Sequence, residues 1–321
     1  GPTLASAEQE IPTTASSTAK LFVYDLVRRE FVRNGQAPYL YDLDNAPDSF
    51  VGNPVTVDWD LNYKTDALYF GTAGGPAHTP NGKLFKLDFR SPVSAGAENP
   101  AHAVWTAPVV LTDPGNPVLA TPAVTRDEYN RRWILAGTGR FYSEADARST
   151  QAQSLIGVID ALPAQAPDYR NIVEVGNAVI SDSGEIKGLP GVTSLGALSK
   201  QVQDRKGWKR TLSANAGSPA ERSINPPVLL GGIVFFTTFT PGTTGSVGDG
   251  RSQLYCLDYK TGTAQRSAGS CNTSSPVIEM SATTSDAVDL GPGMTTPLSL
   301  QLDSTSDSGL LLFTQSSAGA V

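Results

Sequence analysis

Apolar and β-branched residues along this chain come in short runs, each closed by a small or acidic residue. The same phrase returns as "AKLFVYDL" at 19–26, "GKLFKLDF" at 82–89, "SLIGVIDA" at 154–161 and "SQLYCLDYKTG" at 252–262. Runs this short, rich in Val, Ile, Leu, Tyr and Phe, predict buried strands rather than helices. A second phrase precedes three of them: "NPVTV…DALYFGT" at 53–72, "TPAV…RWILAGTG" at 121–139 and "NPPVLLGGIVFFTTF" at 225–239. Proline, with its fixed φ and no N–H, suits a strand start, and an apolar strand and a small-residue turn follow. "GPGMTTPLSL…SGLLLFTQ" at 291–315 begins a further copy. No sustained helical period runs through the sequence, so an all-helical fold is not expected.

Strand, turn, buried strand, turn and a closing "LYxLD" make one blade of a β-propeller. The expected fold is therefore all-β, a β-propeller modified by long insertions at about 140–152 and 161–206. Within the first insertion, Ser143 and Asp146 are spaced as a capping box for a short helix. The first copy lacks early strands and the last lacks its closing phrase. Either the N-terminal strand completes the last blade of a small ring, or these are the later blades of a larger ring; the size of the insertions favours the second. Residues 1–18 read as a linker, with Gly1-Pro2 resembling the scar of a removed tag, and residues 19–321 as the propeller.

Composition narrows the partners. Only 17% of the 321 residues are charged, while 31 are Gly and 23 Pro, as expected for strands and tight turns. The net charge is −7 and the sequence pI about 4.9. Such a chain repels a phosphate backbone, so no nucleic acid partner is expected. No apolar run is long enough for a transmembrane segment. Cys256 and Cys271 form no CxxC pair and stand far from both histidines, His78 and His102, which argues against zinc. The scarcity of Lys and the wealth of Thr, Ser, Asn and Gly read as an exported chain, for which a Cys256–Cys271 disulfide is favoured over two thiols.

One loop carries candidate chemistry. "VDWDLNYKTD" at 57–66 sets Asp58, Asp60, Asn62 and Asp66 at spacings that let one turn of chain offer several oxygens to a hard cation. Side-chain oxygens at the first, third and fifth positions, the Lys64 carbonyl at the seventh and Asp66 at the ninth fit Ca²⁺. Tyr63 stands where such loops usually place Gly for a sharp turn. The bland alternative is a solvated turn, although three carboxylates brought together without a cation repel one another. The rival cluster at 41–48, with Asp42, Asp44 and Asp48, lacks the fifth-position oxygen and reads as a turn, as does "DSTSDSG" at 303–309. Catalytic arrangements are not found: neither histidine stands near a GxSxG elbow, and no GxxxxGK[ST] occurs. "GTGRFY" at 137–142 reads as a turn with Arg140 satisfied locally. Trp59, Trp105, Trp133 and Trp208 are expected to pack between blades.

Taken in order, "NPVTVDWDLNYKTDALYFGT" with "GKLFKLDF", "WILAGTGRFY…QSLIGVID", "GWKRTL…ERSINPPVLLGGIVFFTTFTP" and "SQLYCLDYKTG" resemble the C-terminal β-propeller of the PilY/PilC family of type IV pilus tip-associated proteins. The match covers about residues 19–262. The resemblance implies a calcium loop whose pattern DxDxNxxxD falls on Asp58, Asp60, Asn62 and Asp66. It also implies export through the periplasm to the pilus tip or cell surface. Adhesion, pilus biogenesis and control of extension and retraction are the roles it implies, with minor pilins, the pilus tip or the remainder of the same protein as partners. On this reading the chain is not an enzyme. Two alternatives differ in class: a propeller enzyme of the quinone-dependent dehydrogenase type, which shares "LYxLDxxTG" blades, and a structural assembly module without a metal.

Overall fold

The computed structural model describes residues 18–26, 29–32, 41–76, 79–89, 107–161, 166–181, 184–243, 249–264, 272–274, 277–279, 287–302 and 310–318. His78, His102, Trp105, Cys271, most of 1–18 and the stretch 303–309 lie outside them.

Three of the four closing phrases become strands paired antiparallel with the Pro-led strands before them, whereas the first, at 19–26, is broken at Phe22 into Thr18–Leu21 and Val23–Asp25, which pair with different strands. In the first blade, Val55–Val57 pairs with Ala67–Gly74, which pairs with Leu84–Asp88 and through it with Val109–Thr112. Ser49–Val51 adds to the far half of Ala67–Gly74. The second blade runs Ala123–Arg126, Arg132–Gly137, Ser154–Asp160 and Gly207–Thr211, with Val173–Glu174 joined in parallel at its outer edge. The third runs Val228–Leu230, Ile233–Thr240, Arg251–Asp258 and Ala287–Pro292. Two-stranded sheets flank them in sequence: Thr18–Leu21 with Tyr41–Pro47, and Ser299–Leu302 with Leu310–Phe313.

The central strands are apolar without alternation because neighbouring sheets cover both faces. Every residue of Ala67–Gly74 is buried. Four clusters fill successive gaps between sheets. Ala19, Leu43 and Ala46 meet Phe70, Phe85 and Leu87 of the first blade. The other face of that blade sends Tyr69 and Leu84 against Ile134, Ile156 and Val158 of the second. Trp133, Leu135 and Leu155 then meet Val234, Phe236 and Leu257 of the third. Leu254 and Cys256 meet Leu298, with Leu312 packed on them. Sheets packed face to face in chain order are the arrangement of propeller blades, and the chain has a modified β-propeller fold.

Among the described residues, the helices lie in the insertions. Ser143 accepts the Asp146 amide while Asp146 accepts the Ser143 amide, capping the helix Glu144–Ala147 as the spacing predicts. A longer helix, Leu195–Asp204, lies in the second insertion and buries Leu198 and Val202. Arg140 is satisfied by Asp146 at 2.8 Å. Trp59, Trp133 and Trp208 do pack between sheets. One expectation fails: residues 41–48 are not a turn. Tyr41–Pro47 is a strand whose Asp42 pairs with Lys20 at 2.9 Å, and only Asp48, with φ 49°, turns the chain. Its acidic spacing misled because cross-strand pairing neutralises Asp42.

Candidate metal centre

The acidic loop joins Val55–Val57 to Ala67–Gly74, so two paired strands hold its ends. Asp66 is its fixed post. The Asp66 amide donates to the Val57 carbonyl at 2.8 Å and its carbonyl accepts the Phe89 amide at 2.9 Å, which extends both strand pairings by one residue. Its carboxylate is 5% exposed by residue, and Oδ2 accepts the Trp59 amide at 2.7 Å. Asp58 organises the other side: Oδ1 accepts the Asn62 amide at 3.2 Å and Oδ2 the Tyr63 amide at 2.6 Å. Asn62 is knitted into the same turn, donating to Asp60 Oδ2 at 3.2 Å and accepting the Lys64 amide at 2.9 Å.

These bonds force a tight curl. Leu61 and Tyr63 both take left-handed backbone conformations, with φ 58° and 66°. Tyr63 thus adopts the conformation that the usual glycine reaches without strain. The two side chains point to solvent, 82% and 98% exposed, so the only cost of this backbone is the local one of a Cβ close to its own carbonyl.

The outcome is that Asp58, Asp60 and Asp66 each bring a carboxylate oxygen to within 4.8 Å of the others. Two ligands on one Ca²⁺, each about 2.3–2.6 Å from the ion, lie at most about 5.2 Å apart, so this spread fits a single cation. The donor set is all oxygen, which suits Ca²⁺ over thiolate- or imidazole-seeking metals. Asn62 lies in the curl with its amide already hydrogen-bonded inside the loop. Lys64 is there too, its amide turned onto Asn62.

The loop is anchored to the second blade as well, through residues not singled out by sequence. The Arg126 guanidinium donates to the Trp59 carbonyl. Arg126 and Arg132 both lie over the Trp59 ring, 5.4 and 5.3 Å from its centroid. The Asp160 carboxylate, its side chain 1% exposed, lies at the blade junction. It accepts Tyr69 Oη at 2.6 Å and Lys86 Nζ at 3.0 Å, with Arg132 at 3.9 Å. Burial, and then the adjoining Asp160 charge, push the Tyr69 phenol far above its ordinary value. A signal for Asp160 existed, since it closes the phrase "SLIGVID". Arg126 and Arg132 merely flank a turn, and nothing in their spacing marks them.

No protein-family model matches the chain. Over 139 residues, 41% of its length, it is 32% identical to the type IV pilus biogenesis factor PilY1 homolog of Xylella fastidiosa (strain Temecula1 / ATCC 700964). The chain spans 9% of that curated relative's length. Among solved structures it is similar to the crystal structure of the Pseudomonas aeruginosa PilY1 C-terminal domain, with a TM-score of 0.56 and 17% identity over 94% of this chain and 70% of that one. The likeness to the PilY/PilC family read from the motifs is thus found again, in proteins named PilY1, in sequence and in fold. Among the described residues, no helix is long and apolar enough to cross a membrane.

Proposed function

We propose that this chain is a calcium-binding propeller module of a type IV pilus biogenesis protein, acting at the pilus tip or cell surface in adhesion and in control of extension and retraction. The carrying observation is the convergence of Asp58, Asp60 and Asp66 oxygens within 4.8 Å on a loop pinned at both ends by propeller strands. The pilus setting is supported by the likeness to proteins named for PilY1, in sequence and in fold. Asp58, Asp60 and Asp66 would hold the ion, with Asn62 and the Lys64 carbonyl as further oxygen donors. The ion supplies charge neutralisation, which removes the mutual repulsion of the carboxylates and favours the curled backbone. It stabilises the folded state by RT ln(1 + [Ca²⁺]/Kd). The role is binding, not catalysis, and the partners are pilus components or other parts of the same protein.

Calorimetric calcium titration of the wild type, Asp58→Ala and Asp66→Ala tests the metal part. One site in the wild type and a loss of at least about tenfold in affinity in each variant are expected, about 1.4 kcal/mol or more. Equal affinity in all three proteins would sink it.

A further inference from the structure

Trp59 faces two ways. Through its amide it holds Asp66 Oδ2 at 2.7 Å, and through its carbonyl and ring it is held by the second blade. Arg126 belongs to Ala123–Arg126 and Arg132 to Arg132–Gly137, the two strands paired at that blade's edge. Both guanidinium groups lie over the indole, and Arg126 also binds the peptide oxygen. The indole itself is buried among Tyr69 of its own blade and Ile134 and Val158 of the next. A ring so enclosed cannot shift without disturbing the blade junction, and a peptide unit joined to that ring cannot shift without moving the Asp66 carboxylate that its N–H holds.

We infer that the acidic loop is a joint between blades: Arg126 of the second blade is a positioning residue that holds Trp59, and through it Asp66, in the ligating place, so calcium binding and the blade contact strengthen each other. The inference rests on the calcium reading above and adds its regulation. Coupling of this kind is reciprocal, since whatever the cation does for the blade contact, the contact does for cation affinity. The path is a contiguous set of contacts from Asp66 through Trp59 to Arg126 and Arg132, and on to Asp160, Tyr69 and Lys86.

Electrostatics gives this claim a distinctive sign. Arg126 carries a positive charge near a cation site, so as a bystander it opposes calcium, and its removal tightens binding. As a positioning residue it favours calcium, and its removal weakens binding. The experiment combines calorimetric calcium titration with amide hydrogen exchange on the full chain, for wild type, Arg126→Leu and Arg126→Gln. Glutamine keeps an N–H donor for the Trp59 carbonyl but no charge. In the wild type, calcium should slow exchange in residues 58–66 and also in Ala123–Arg126 and Arg132–Gly137. Arg126→Leu should bind calcium about tenfold more weakly, with protection confined to the loop. Arg126→Gln should recover much of that affinity. The inference is overturned if both variants bind calcium as tightly as the wild type or tighter, or if wild-type protection stays within 58–66. The wild-type exchange pattern decides the matter even if the leucine variant does not fold. A wild type that takes up no calcium overturns the calcium reading and this inference together, whereas calcium uptake indifferent to Arg126 overturns only the inference.

Discussion

The two junctions of the second blade are built from different chemistry. Its contact with the third blade has an aromatic centre, with Arg210 over the Tyr255 ring and the Lys260–Glu128 ion pair at the exposed rim. Trp133 and Trp208 are fully buried there, and the Trp208 indole donates to the Tyr259 carbonyl at 2.8 Å. Gly157 and Gly262 lie against this indole, and a Cβ at either would come within 2.4 Å of ring atoms. The contact with the first blade is partly ionic. Lys86, 8% exposed, meets Asp160 at 3.0 Å and Asp88 at 3.0 Å, and Trp59 lies under two guanidinium groups. Apolar packing is non-directional and has one best arrangement. Buried ion pairs add little net stability but penalise any shift that separates them. The first junction therefore suits a contact that responds to a nearby cation, and the second suits one that holds still.

The comparison breaks most readily at the aromatic junction. Trp208→Ala should cost about 3–5 kcal/mol in urea unfolding, since a large buried ring leaves a cavity fixed by two strands. Loss well under that would mean the second and third blades are not held by this ring.

At the ionic junction, Asp160→Leu should cost about 3 kcal/mol, because Lys86 and the Tyr69 hydroxyl lose their shared acceptor. Lys86→Met combined with Asp160→Leu should recover most of that loss in the same denaturation assay. If the double variant is no better than the single one, the cost lies in shape and not in charge.

Between these in character is Asp127, at the turn joining the two edge strands of the second blade. Burial would raise its pKa, but the Trp133 indole at 3.0 Å and the Arg131 amide and guanidinium at 2.9 and 2.6 Å outweigh that and lower it. A folded-state pKa below the unfolded value of about 4 gives stability that is fully present above that pH and lost as pH falls through the folded value. Asp127→Asn should therefore destabilise by about 2 kcal/mol at neutral pH, with the gap to wild type closing in acid. A gap that stays constant down to pH 2 would contradict the charge assignment.

The smallest effect is expected in the loop itself. Tyr63→Gly removes a left-handed tyrosine that touches little and should raise the melting free energy by up to about 1 kcal/mol. Destabilisation would show that the exposed ring contributes more than its backbone costs.

Much of this was legible in sequence because it depends on local pattern. The closing phrases became Leu84–Asp88, Ser154–Asp160 and Arg251–Asp258, and the Pro-led phrases became the strand pairs before them. In the last copy the closing Asp has a local role: the Asp258 side chain accepts the Lys260 and Thr261 amides at 3.0 and 2.9 Å and shapes the Thr-Gly turn. The curl of the acidic loop was also legible, since the Asx spacing dictates its hydrogen bonds. Two things were not. The fourth strands, the Val-rich Val109–Thr112 and the mostly polar Gly207–Thr211, share no phrase and are fixed by pairing with their neighbours, not by pattern. The hold of Arg126 on Trp59 joins residues 67 apart in the chain, and only the packing of one blade on the next creates it.

The most direct test of the central claim is a crystal structure of the chain grown with calcium and measured for anomalous scattering. The account predicts one strong peak in the loop, with oxygens of Asp58, Asp60 and Asp66 about 2.3–2.6 Å from it. A well-ordered loop holding only water, or a calcium peak on other residues, would contradict it.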